Sequence, residues 1–86
     1  MTGLTGKRWY YFIWDDSNEN HLARHRILYW EAEEVFFNTY IITPNKKRHG
    51  LKRYHIDGKT NTGRKLRLIF EDLGSNTARI FTGWDI

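Results

Sequence analysis

Arg24 and His25 are adjacent, Arg53 and His55 are one residue apart, and Arg64 follows a short distance along the chain. An unperturbed imidazole titrates near pH ~6.5, so a histidine exchanges protons at neutral pH. A guanidinium is a planar fork that binds phosphate through paired hydrogen bonds. Together these side chains suit cleavage of a phosphodiester by its neighbouring hydroxyl. A base takes the proton of the attacking oxygen, cations stabilise the phosphorane-like transition state, and an acid serves the leaving oxygen. His25, His55 and Arg64 are the candidate catalytic set, and this chemistry needs no cofactor. It requires Arg24, His25, Arg53, His55 and Arg64 to line one concave face.

Each of these residues also has a structural reading, which the sequence leaves open. His25 fits the C-terminal end of a helix, where a cation meets the negative end of the dipole. His55 alternates with Tyr54 and Ile56, so it faces solvent or the far side of a sheet. Arg64, next to Gly63, fits the start of a strand. His21 and His25 have the spacing of a helical metal pair, but no carboxylate motif completes a site, so no metal is expected.

The charge is unevenly spread. The net charge is +4, and from Lys46 to Arg67 the basic residues are Lys46, Lys47, Arg48, Lys52, Arg53, Lys59, Arg64, Lys65 and Arg67, against the single acid Asp57. Most other acids lie earlier, among them Asp15, Asp16, Glu19, Glu31, Glu33 and Glu34. A basic half interleaved with aromatics suits a polyanion, because neutralising phosphates releases condensed counterions. Arg24, Lys46, Lys47, Arg48, Lys52, Arg53, Lys65 and Arg67 are therefore the candidate RNA contacts. The alternatives are a solvated surface or a patch for an acidic protein.

The elements that must position these residues follow from pattern. At 86 residues there is room for one domain, and 4 Trp, 5 Tyr and 5 Phe supply large contact areas. There is no cysteine, which suits a reducing compartment. No stretch has the length of a secretory core or a membrane span, so a cytoplasmic protein is expected. Trp9–Trp14 reads as a buried aromatic strand. Asp15, Asp16, Ser17 and Asn18 offer N-cap oxygens for a helix from about Asp16 to His25. Ile27-Leu28-Tyr29 reads as an inward-packing link. A second helix from Trp30 to about Asn38 has Ala32, Val35, Phe36 and Tyr40 on its buried side. Trp9, Trp14 and Trp30 read as core. Pro44-Asn45 marks a break, and KKRHG an exposed basic loop. Strands around Tyr54–Gly58, Lys65–Phe70 and Ala78–Trp84 follow, separated by turns. The expectation is an α+β fold: a short N-terminal strand, two helices on one face, then a three-stranded antiparallel meander.

The ordered set of motifs resembles the BrnT-type toxins of bacterial toxin–antitoxin pairs, small ribonucleases related in architecture to the RelE group. Trp14-Asp15 matches the Trp-Asp pair before the first helix, with Asn20 or His21 in mid-helix and Arg24-His25 at its end. Glu31-Ala32 and Val35-Phe36 match the second helix. Arg53-Tyr54, Gly58, Thr60, Gly63 and Arg64 match Arg-Tyr-…-Gly-x-Thr-x-x-Gly-Arg. The likeness runs from about Phe12 to the C-terminus. It departs at Arg26, which replaces a glycine, and at Trp84, which replaces an arginine, and relatives continue into a charged C-terminal helix. The resemblance implies a RelE-like fold, metal-independent RNA cleavage, and RNA and a cognate antitoxin as partners. The residue readings also allow a non-catalytic RNA- or protein-binding module.

Overall fold

The computed structural model describes residues 7–45 and 52–86. In chain order the elements are β1 (Tyr11–Phe12), α1 (Asp16–Ala23), α2 (Tyr29–Phe37), β2 (Tyr40–Pro44), β3 (Arg53–Lys59), β4 (Lys65–Gly74) and β5 (Thr77–Asp85). The strands form one sheet of five in the order β1-β5-β4-β3-β2. β1 runs parallel to β5, and every other pair is antiparallel. The α+β class holds, but the expected three-stranded meander is corrected to a five-stranded mixed sheet.

The correction has a local cause. Ile41 and Ile42 are β-branched, and the segment pairs with β3 from Tyr40 opposite Gly58 to Pro44 opposite Tyr54. Pro44 closes an edge strand, where a missing amide is tolerated, so it ends the strand rather than preventing it. At the other edge the aromatic run shrinks to two paired residues, Tyr11 with Thr77 and Phe12 with Ala78. Trp9 is buried while Tyr10 and Tyr11 are exposed.

Side chains alternate across the sheet. Toward α2 point Ile56, Leu66, Leu68, Phe70, Ala78 and Ile80, all fully buried, and they meet Ala32, Val35 and Phe36 of α2. Trp9 packs edge-on to Phe70 at 4.9 Å and to Phe36 at 6.1 Å, sealing one end of this core. α2 lies over β3 and β4, whereas α1 packs along β5, and Leu22 of α1 joins the same buried core as Ala32, Val35 and Phe36 of α2. Because β1 covers only the first residues of β5, the rest of that strand is flanked by α1. Trp30, expected in the core, is 49% exposed, and Leu28 and Tyr29 of the link are exposed beside a buried Ile27. Leu28 is the N-cap of α2, and Tyr29 and Trp30 open its first turn.

The α1 N-terminus is closed by a reciprocal cap. Asp15 accepts from the Asn18 amide at 3.1 Å, and the Asn18 side chain accepts from the Asp15 amide at 2.8 Å. Asn18 also donates to the Ile13 carbonyl at 2.8 Å, which explains how a polar side chain is buried there. The β4–β5 hairpin turns through Ser75 and Asn76, with φ of 51° and 58°, the left-handed pair that a two-residue hairpin needs.

One carboxylate belongs to the core. Asp72 is 5% exposed. Burial pushes its pKa up, but Lys7, the Gly74 amide and the Trp9 indole all donate to it and leave it below the ordinary carboxylate value. A group whose pKa is lowered by folding stabilises fully above its unfolded value of ~3.9, and that stability is lost as pH falls through the lower folded value. Asp72→Asn is therefore expected to cost about 1–2 kcal/mol at pH 7, toward the low end for a paired carboxylate because Lys7 is half-solvated. Urea unfolding of the two proteins should differ at pH 7 and converge well below pH ~3.9. A gap that persists in acid would assign the loss to packing instead.

Candidate nucleic-acid interface

The Gly-x-Thr-x-x-Gly-Arg stretch forms the β3–β4 turn and ties it to both helices. A Cβ on Gly58 would sit 3.0 Å from Val35 Cγ1 and 3.1 Å from the Thr39 carbonyl, so glycine lets the C-terminal end of α2 approach β3. Thr60 is buried, and its hydroxyl accepts from the Arg64 amide at 3.1 Å. Its own amide donates to the Arg64 carbonyl at 2.9 Å. Gly63 has φ +90°, a conformation that costs glycine little.

Arg64 then reaches from this turn across the end of the molecule. Its Nε and Nη2 grip Asp85 at 2.7 and 2.9 Å. Nη1 donates to the Arg26 carbonyl at 2.7 Å and to Glu31 at 3.1 Å, and Nη2 also donates to the His25 carbonyl at 3.1 Å. All five N–H donors of the guanidinium are thus engaged within the protein. The fork also satisfies carbonyls just past the end of α1, where cations are favoured. The Asp85 carboxyl is held below its ordinary pKa by Arg64, with a smaller contribution from His25.

Arg26 sits in this junction with φ 58°, and its amide bonds Ala23 at 2.9 Å while that of Ile27 bonds Leu22 at 3.0 Å. This is the Schellman ending of a helix, in which the left-handed residue is usually glycine. The departure noted in the sequence thus falls at the one position of the α1 ending where glycine is the relaxed choice.

The second cluster lies on the sheet face turned away from α2. Register places Arg53, Glu71 and Arg79 in one row, His55, Ile69 and Thr82 in the next, then Asp57, Arg67 and Trp84, and last Lys59 opposite Lys65. Five cations here meet two carboxylates, Asp57 and Glu71. Arg67 holds Asp57 bidentately, with both contacts at 2.7 Å. His55 is half-buried in mid-strand between Thr43 and Ile69, and among the described residues its ring has no ion-pair partner.

The expected single concave face is therefore divided between two places. Arg24, His25 and Arg64 belong to the helix junction, with Arg64 on the helix side of the sheet. Arg53, His55, Lys65 and Arg67 share the open face, and Lys52 precedes β3 as an exposed residue whose carbonyl accepts from the Asp72 amide at 2.8 Å. Lys46, Lys47 and Arg48 lie outside the described residues. Among the described residues no group of three His, Cys, Asp or Glu side chains is placed to hold a metal ion. No helix among them is long and apolar enough to cross a membrane.

Sequence reading passed over Lys59, Arg79 and Phe81 as site residues. Between Ile69 paired with Thr82 and Phe70 paired with Ile80, Phe81 is the extra residue of a β-bulge. The bulge sets the Phe81 ring under two arginines, Arg53 at 3.9 Å and Arg79 at 5.6 Å. The only advance signal was the Arg79-x-Phe81 spacing within a strand, which is too common to single out.

No known family model, curated protein or solved structure matches the chain. The geometry nonetheless fixes two stability outcomes. Arg64→Ala should cost about 2–3 kcal/mol, since it strands carboxylates and carbonyls together, and Arg64→Lys should restore little because an ammonium lacks the fork. Arg26→Gly should gain about 1 kcal/mol by relieving the left-handed backbone while leaving the carbonyl that Arg64 bonds. Thermal unfolding of the three variants beside the parent checks both. A destabilised Arg26→Gly would contradict the junction geometry.

Proposed function

We propose that the protein is a toxin-like ribonuclease of the BrnT type, cleaving RNA without a metal on the open face of its sheet and restrained by a cognate antitoxin. The position of His55 carries the reading: a half-buried imidazole in mid-strand, on a face shared with Arg53, Lys59, Lys65, Arg67 and Arg79. In this scheme His55 takes the proton of a 2′-hydroxyl. The freed oxygen attacks the adjacent phosphorus, giving a 2′,3′-cyclic phosphate, and the departing 5′-oxygen takes a proton from solvent. Arginines on the same face hold the phosphate and offset the charge that grows on it. The cationic rows position the strand without reading its sequence. An antitoxin that presents carboxylates to this face would compete with RNA for the same cations.

A second reading is favoured by Arg64. With its five donors engaged it stands as a structural clamp, and His25 offers its carbonyl to that clamp. On this reading the domain binds RNA on the open face and does not cut it.

The test is incubation of labelled single-stranded RNA with the parent, His55→Ala and His25→Ala in the presence of a chelator. The first reading expects cyclic-phosphate ends from the parent and a loss of roughly 100-fold or more in His55→Ala. His25→Ala should lose far less. Salt-sensitive RNA retention without cleavage would select the binding module. Absence of both cleavage and retention would sink both readings.

A further inference from the structure

We propose that the cleft between α1 and the open sheet face is a subsite for one phosphate group of a nucleotide strand, formed by Arg53, Arg79 and His21 around the Phe81 ring. The origin of that phosphate in RNA rests on the function proposed above; the anion site itself does not. The cleft encloses about 290 Å³, at the small end for ligand pockets. Its wall joins Ser17 and His21 of α1 to Arg53, Arg79, Phe81 and Thr82 of the sheet, and among the described residues no carboxylate lines it.

Arg53 is the centre of the argument. Its guanidinium lies 3.9 Å from the Phe81 ring centroid, and among the described residues its buried Nε has no hydrogen-bond partner. A buried, unpaired donor is costly, and in native proteins it marks a place where a ligand or water completes the bonding. Stacking on an aromatic face also fixes the plane of the fork in advance, so less entropy is lost when a phosphate is gripped. Neither nearby carboxylate occupies Arg53. Glu71 is opposite both arginines in register, yet forms no ion pair with either, and Asp15 holds a single Nη of Arg79 at 2.6 Å. That contact turns Arg79 toward the α1 N-terminus while leaving its other donors available.

The Phe81 bulge is what allows this arrangement. Without the extra residue, alternation would return Thr82 to the core side. With it, Phe81 and Thr82 both reach the cleft wall, and Gly83 resumes the core side opposite Leu68. His21 faces the same cleft from α1, so a phosphate here has two guanidinium forks on one side and an imidazole with the Ser17 hydroxyl on the other.

The experiment is an amide-resolved NMR titration of the full chain with inorganic phosphate and, separately, with a ribodinucleotide containing one phosphodiester. Both probes should shift Ser17, His21 and Thr82. The dinucleotide binding at least ~10-fold more tightly would identify a strand phosphate as the ligand, and equal affinities would identify free phosphate. Arg53→Ala should weaken the dinucleotide by ~10-fold or more, Phe81→Leu by ~3-fold, and Arg53→Lys by an intermediate amount. The lysine and leucine variants keep the test valid if the alanine variant does not fold. Shifts confined to Lys59 and Lys65, or unchanged affinity in Arg53→Lys and Phe81→Leu, would overturn the subsite. If the parent retains RNA and Arg53→Lys retains it equally, the subsite fails while the interface stands. If cleft amides shift with phosphate but RNA is not retained, the function reading fails and the anion site stands.

Discussion

The Arg64 fork holds together parts of the chain that local structure alone would leave separate. From the β3–β4 turn it joins Asp85 at the end of β5, Glu31 in the first turn of α2, and the two carbonyls that follow α1. Helices of eight and nine residues are too short to persist alone. Their junction contains a left-handed arginine, which adds backbone strain. A single planar group with fixed donor directions offsets both problems, because it satisfies the carbonyls after α1 and ties the start of α2 to the β3–β4 turn. Glu31 helps from the other side, accepting from the Leu28 amide at 3.0 Å at the α2 start while also meeting Arg64.

Fixing α1 in this way has a consequence for the open face. The helix is held at one end by Arg64 and at the other by Asp15, which meets Arg79 at 2.6 Å. It therefore lies along β5, where Leu22 enters the core while Ser17 and His21 form the wall of a cleft. Arg79 links the two regions: it anchors the α1 cap through Asp15 and faces Phe81 on the sheet. The Asp15 carboxyl is held below its ordinary pKa mainly by that arginine, with help from the Asn18 amide.

The two sides of the sheet differ in how charge is treated. On the helix side Asp72 is paired and enclosed, and its neighbours are aliphatic or aromatic. On the open side Lys59 stands opposite Lys65, a like-charge pair with no benefit to folding. Together with Arg53, Arg67 and Arg79 on the same face, this pair gives the open side an excess of positive charge over Asp57 and Glu71.

Much of this was legible in the residues. The caps at Asp15 and Asn18, the alternation of Leu66, Leu68 and Phe70, and the turn at Thr60–Gly63 all depend on neighbours within a few positions, so the α+β class and the order of most elements followed from local patterns. The edge strand β2 was missed because Pro44 reads as a breaker unless it is known to stand at an edge. Trp30 read as core because its aromatic character says nothing about which side of α2 meets the sheet.

The candidate site divided along the same line. Sequence by itself placed His55, Lys65 and Arg67 in strands, with Arg53 just ahead of one, and showed that the basic residues gather in the second half of the chain. Only the tertiary structure decided that Arg64 is consumed by a clamp, that Arg79 and Phe81 join Arg53, and that His25 lies apart from His55. Those outcomes turn on contacts between residues dozens of positions apart and on a one-residue bulge. Side-chain periodicity carries the face a residue takes within one strand, but not the register, the bulge or the distant partner that gives the residue its task.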